Sequence, residues 1–331
     1  MDTSTHITFG FGLAGLAYLD PAVSSDPSLA NAILFGTVLG SNAPDFDYLI
    51  KLVKGNGMYI EHHRGLSHSV FALMIWSLLI SGIILFFAGN IDFFPILFWT
   101  FLGVVLHVGL DLMNAYGTQA GRPFTKKWLS LNFLPLIDPI IYLFHVLGFI
   151  LWYLGFSPGP TFAYVYIFIA IYIIIRFFIY KVIRGIIINT TEMDGILTLI
   201  PSIWLHKWDF VIETNSTYYV GSVTYKNLQW IHHFNKHDEN CPKIKTSLKD
   251  KNVVHFLANS AHTHALIVPG INGDEVRWLD LRFRHRNHYP YMAVAKINRH
   301  NEIISSYTGW IHRSKRLENK LATNNKKLVQ L

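Results

Sequence analysis

The stretch EHHRGLSHSVF, Glu61 to Phe71, sets His62, His63 and His68 beside Glu61 and Arg64 at the front of a long apolar run. Imidazole nitrogens bind transition metals through a lone pair, and a guanidinium grips phosphate through paired N–H groups. Further along, HVGLD places His107 and Asp111 four residues apart. On a helix those two share a face, so one imidazole and one carboxylate can converge on a single cation. His6 near the start, Asp45 and Asp47 in GSNAPDFDYL, and Asp138 before Pro139 extend the set of candidate ligands.

Oxygen and imidazole donors without thiolate suit Zn foremost, with Mn or Fe as the other choices. The single cysteine, Cys241, excludes a cysteine-based finger and an internal disulfide. One to three divalent ions fit such a set, and more than four candidate ligands point to two or three. Several ions together lower the pKa of a bound water and neutralise a phosphoryl oxygen, which points to hydrolysis. In that reading Asp45 or Asp47 is a ligand or the general base, and Arg64 holds a phosphate in bidentate fashion. Asp138 is equally a helix N-cap before Pro139, and Arg64 is equally a salt-bridge partner for Asp111 or an anchor at a membrane surface.

Charged residues make up 15% of the 331-residue chain, against roughly 25% in soluble domains, and 51% are hydrophobic. Val70–Ala88, Phe94–Leu110, Pro139–Gly155 and Thr161–Tyr180 carry almost no charge over about the length that crosses a bilayer. These are the expected transmembrane helices. Ile7–Leu19 and Leu29–Leu39 are shorter and interrupted by Gly10, Gly12, Gly15 and Gly36, as in a hairpin of short helices. The first residues, MDTSTH, lack the basic start of a cleavable signal peptide.

Lys51, Lys54 and Arg64, then Arg122, Lys126 and Lys127, then Lys181 and Arg184 fall on one side of these helices. The links Gly89–Phe93 and Phe156–Pro160 on the other side hold no Lys or Arg, so the polar loops and C-terminal region are expected in the cytoplasm. With that topology His6, Asp45, Asp47, His62, His63, His68, His107, Asp111 and Asp138 meet at one end of the bundle. Asp111 then lies at the negative end of an apolar helix and requires a cation.

After about residue 186 the pattern changes to alternation, as in Trp208–Glu213, Tyr218–Val223 and Tyr291–Asn298, with turn signals at Asn272-Gly273-Asp274 and Arg286-Asn287-His288. The fold class is therefore an α-helical membrane bundle of about four transmembrane helices plus an N-terminal helical hairpin, with a C-terminal mostly-β soluble domain. The domains are a membrane-embedded helical part (1–185), a β-rich part (186–312) and a basic polar tail (313–331). Eleven histidines follow residue 200 without a strong ligand spacing, although His262 and His264 would share a strand face and bind a metal weakly. The net charge of +7 comes with no nucleic-acid motif, so anionic lipid is the expected partner of the basic residues.

The motifs THxxxG (Thr5-His6 to Gly10), PDFD, HRGLSHS and HVGLDLMNAYG together resemble the YdjM/YfhP-type family of inner-membrane-associated proteins, described as metal-dependent hydrolases and also as LexA-binding. The resemblance runs from the N-terminus to about residue 155 and implies a helical membrane protein with a metal site. More remotely it is similar to the zinc-dependent phospholipase C group, whose trinuclear zinc site is held by helices. That likeness implies ligand roles for His6, Asp45 or Asp47, His63 or His68, and the His107/Asp111 pair. Two features of the remote group differ here: its free N-terminal amine ligand, where this chain starts with Met and an intervening segment, and its later HxxxE pair, since His145 has Phe149 four residues on.

The leading function is a hydrolase of the bacterial inner membrane, a phosphoesterase acting on a lipid or membrane-delivered substrate at the cytoplasmic face. The alternative is a non-enzymatic regulator or scaffold with a structural metal and a β domain that recruits a protein partner. Ion-coupled transport is disfavoured because the ligands gather at one side instead of at mid-depth.

Overall fold

The computed structural model describes residues 1–238, 240–270, 273–312 and 317–321. The chain opens with α1 (Thr3–Ala17), a short α2 (Pro21–Ser25) and α3 (Pro27–Gly40), the out-and-back hairpin expected from sequence. Asp2 caps α1 through Ser4 N, and Asp26 with Pro27 starts α3, so short polar side chains satisfy amides that a helix leaves open. Glycine lets the helices touch: a Cβ at Gly10 would lie 2.8 Å from Val38 Cα, and one at Gly40 would lie 2.7 Å from the Thr100 carbonyl.

A 3-10 turn (Ala43–Tyr48), α4 (Leu49–Lys54), α5 (Asn56–His62) and a second 3-10 turn (Leu66–His68) lead to the long helices α6 (Val70–Ala88) and α7 (Phe93–Met113). After a long loop come α8 (Pro139–Tyr153) and α9 (Pro158–Thr191). Among the described residues α6, α7 and α9 are long and apolar enough to cross a membrane. The expected fourth span, α8, has 15 residues, short of the roughly 20 that cross the hydrocarbon. It ends at Tyr153, and two residues on the chain turns at Gly155, whose φ of 91° favours glycine. Conversely α9 runs past Tyr180 to Thr191, because Lys181 and Arg184 are good helix formers and nothing before Glu192 ends the helix.

The C-terminal part holds two antiparallel meanders, β1 (Ile196–Pro201), β2 (Lys207–Glu213), β3 (Thr217–Thr224), β4 (Asn227–Asn235), and β5 (Thr263–Val268), β6 (Asp274–Asp280), β7 (Tyr291–Ile297), β8 (Ile303–Trp310). Between them lie α10 (Pro242–Ser247) and α11 (Lys251–Asn259). Trp208, Phe210 and Leu199 of the first sheet share a core with Ile183 and Ile187 of α9. Val253 and Phe256 of α11 pack on Val276, Trp278 and Ala293 of the second sheet, and Ile60 of α5 joins that core. Of the expected turns, Asn272 lies outside the described residues. Most of the expected tail lies outside them too, but Leu317 and Leu321 are buried in a core shared by both sheets.

Candidate metal centre

The N-terminal hairpin brings His6 at the start of α1 beside His107 in the second-last turn of α7, with the rings stacked at 3.7 Å. Just past α3, the carbonyl of Ser41 lies 2.7 Å from His107 Nδ1. A carbonyl only accepts, so Nδ1–H donates and the lone pair is left on Nε2. His68 is arranged the same way. Ser67 Oγ donates to Asp47 Oδ2 at 2.8 Å and so accepts from His68 Nδ1 at 3.0 Å, which leaves His68 Nε2 as the lone pair. The two Nε2 atoms face each other at 3.2 Å.

Around that pair lie Asp45 Oδ1, 3.5 and 3.6 Å from the two Nε2 atoms, and Asp111 Oδ2, 3.6 and 3.3 Å from them. Asp45, His68, His107 and Asp111 thus each bring a ligand atom within 4.8 Å of every other. Both carboxylate oxygens are buried without a hydrogen-bond partner. Lone pairs and anionic oxygens crowded together in this way repel unless a cation lies among them, so the donor set fits a metal. The protonation states agree. Burial, and after it His107, hold the His68 imidazole well below its ordinary pKa, hence neutral. Neutral imidazole and ionised carboxylate are the forms that ligate.

A second group, Asp45, Asp47 and His63, shares Asp45 with the first. Asp47 accepts from His63 Nδ1 at 2.8 Å, from the Arg64 amide at 3.1 Å and from Ser67 Oγ. It therefore orients HRGLSHS as well as offering an oxygen. Arg64 adopts a left-handed backbone, φ 63°, uncommon for a residue with a side chain, and this turns its guanidinium inward. There it is buried, 3.0 Å from Asp111 Oδ1, and it donates to Asn114 Oδ1 and the Met1 carbonyl. It is not an anchor at a membrane surface.

The amine of Met1 lies against Asp111 Oδ1 and 3.0 Å from His6 Nε2. Asp138, by contrast, lies outside both groups: it caps α8 through Ile140 N, accepts from Tyr172 Oη at 2.7 Å and pairs with Arg176 at 3.7 Å. His62 and His145 bond carbonyls of their own helices, at Met58 and Ile141. His262 precedes β5 with φ 50°, so it does not share a strand face with His264, and both its nitrogens are engaged, by Glu213 and Thr198.

The YdjM inner membrane protein family matches residues 1–183, the segment that builds this cluster. The chain belongs to that family. The YfhP C-terminal alpha/beta plait domain matches residues 242–321, which hold α10, α11 and the second sheet. A relative from Bacillus subtilis (strain 168), described as uncharacterized protein YfhP, is 38% identical over 328 residues, covering 97% of this chain and 98% of its own length. No solved structure matches. The family's inner-membrane description agrees with the three apolar helices.

Sequence reasoning missed Ser41, Ser67 and Asn114. Ser67 and Asn114 stand inside the two histidine motifs, where their spacing to Asp47 and Arg64 carries no sequence signature. Ser41 acts through its backbone carbonyl, which any residue would supply.

Proposed function

We propose that this protein is a metal-dependent hydrolase of the inner membrane, cleaving a phosphoester delivered at the cytoplasmic face. The observation that carries the proposal is the shared carboxylate: Asp45 belongs to both ligand groups, so two ions would be held here, one by Asp45, His68, His107 and Asp111, the other by Asp45, Asp47 and His63. Paired divalent ions, with Zn the best match to this donor set, supply an activated water and neutralise phosphoryl charge. The chain's own residues do the rest. Ser41 and Ser67 fix the imidazoles, Asp47 holds the HRGLSHS loop, and Arg64 presents a guanidinium whose Nε is buried and without a partner. Asp47 has three donors on it already, which suits a positioning role better than that of general base. The cytoplasmic placement is supported by Lys51, Lys54 and Arg64 on the site's side of α6.

The test is turnover of bis(p-nitrophenyl) phosphate and p-nitrophenyl phosphate by detergent-purified protein supplied with Zn, Mn or Fe. Metal-dependent hydrolysis that falls at least about a hundredfold in His68→Ala supports the proposal. Metal-loaded protein with no turnover of any phosphoester contradicts it. A second reading has one observation in its favour: Arg64 and the Met1 amine both touch Asp111 Oδ1, so two cationic groups already balance that carboxylate. A folded protein that binds no metal would favour this second reading, with Asp111 as a salt-bridge residue.

A further inference from the structure

Beside the candidate centre lies a cavity of about 470 Å³, within the range of small-molecule sites. Its walls come from both parts of the chain. Met1, His63 and Arg64 form the end that touches the metal cluster, and Tyr291, Tyr307, Trp310 and His312 of the C-terminal domain form the opposite face. The domain is held there by α5. Asn259 Nδ2 donates to the Ile60 carbonyl at 2.7 Å, Asn56 Nδ2 donates to the Thr308 carbonyl, and His255 pairs with Glu61. Deeper in, Arg282 donates to the Ala115 carbonyl at 3.0 Å, and Tyr116 stacks on Phe283 at 4.3 Å.

The chemistry of the two ends differs. Arg64 lies under the Tyr116 ring with its guanidinium carbon 5.4 Å from the centroid, and its Nε is buried without a hydrogen-bond partner. Lys51 joins it at the rim, over Tyr48 and Tyr59. On the facing side Trp310 and His312 are stacked at 5.8 Å with planes 19° apart, and Tyr291 lies 5.3 Å from Trp310. Cations at one end suit a phosphate, and flat rings at the other suit a ring.

We propose that this cavity binds a phosphate ester that carries a ring beyond its ester oxygen, with the phosphate toward Arg64 and the ring against Trp310 and His312. The C-terminal domain is then the part that selects the substrate. This deepens the phosphoester reading and rests on it for the class of ligand. The ester can be a lipid head group or a soluble molecule. Beside the mouth, α4 exposes Leu49, Leu52, Val53 and Lys54, with Lys51 half-buried, a composition that suits a lipid surface.

The experiment is titration calorimetry of full-length, detergent-purified protein with phenylphosphonate and with methylphosphonate, neither of which can be hydrolysed as an ester. Wild type is expected to bind phenylphosphonate about tenfold tighter than methylphosphonate. In Trp310→Leu, and separately in His312→Ala, that preference shrinks to about twofold or less while methylphosphonate affinity is kept. Nanodiscs containing phosphatidylinositol that displace phenylphosphonate support the pocket with a membrane source. Ring preference without such displacement supports it with a soluble source. Equal affinity for the two phosphonates in wild type, binding of neither, or a preference that survives both substitutions overturns the proposal. Ring preference in a protein without phosphoester turnover supports the pocket and contradicts only the hydrolase reading.

Discussion

His68 and His107 face each other through their Nε2 atoms at 3.2 Å, each with its Nδ1 proton committed elsewhere, to Ser67 Oγ and to the Ser41 carbonyl. Two lone pairs held this close are a ligand geometry, and the groups that hold them are as much part of the centre as the ligands.

Asp47 accepts from Ser67 Oγ and also from His63 Nδ1 and the Arg64 amide, so it orients three groups of the HRGLSHS loop at once. Asp47→Ala is expected to weaken metal binding by about 10- to 100-fold with the helices retained, measured by competition with a chromophoric chelator and by circular dichroism. Unchanged affinity would show that the HRGLSHS loop holds its shape without this carboxylate.

The Ser41 carbonyl is positioned by the contact of Gly40 with Thr100. Gly40→Ala drives a methyl against the Thr100 backbone, so α3 must shift away from α7, at a cost of about 1–3 kcal/mol. Both the melting temperature and the metal affinity are expected to fall, the second because His107 loses its partner.

Asp138 separates a cap from a ligand. Asp138→Ala removes the bonds to Ile140 N and Tyr172 Oη and leaves the buried Arg176 without its carboxylate, and is expected to cost about 3–5 kcal/mol of stability while leaving metal content unchanged. Loss of metal in a folded variant would return Asp138 to the ligand set.

Burial, and after it His237, lower the His264 imidazole to about 4 from its ordinary 6.5. The unfolded chain takes up this proton near pH 6.5 and the folded chain only near 4. Stability is therefore complete above pH 6.5 and declines as pH falls toward 4. His264→Phe, beside Phe234, is expected to flatten that decline in melting curves recorded across the window.

Much of the centre was legible in the sequence for physical reasons. The four-residue spacing of His107 and Asp111 has one meaning on a helix, and an out-and-back hairpin must bring His6 to the level of Asp45. The strands around Phe210, Val220 and Val294 showed in their alternation. What was not legible depends on contacts between distant segments. Nothing local says that α9 continues past Tyr180 to pack on the first sheet. The left-handed turn at His262 breaks a strand that its neighbours' alternation suggested. The aromatic face of Trp310 gains its meaning only when α5 docks the C-terminal domain beside Arg64.

The central claim is that the cluster holds a metal. Its most direct test is metal content by mass spectrometry on detergent-purified wild type, Asp111→Asn and His107→Ala, each reconstituted with Zn and freed of excess, with folding checked by circular dichroism. The account predicts at least about one ion per wild-type chain and loss of most of it in both folded variants. A folded wild type without metal, or variants that keep the full complement, would contradict it.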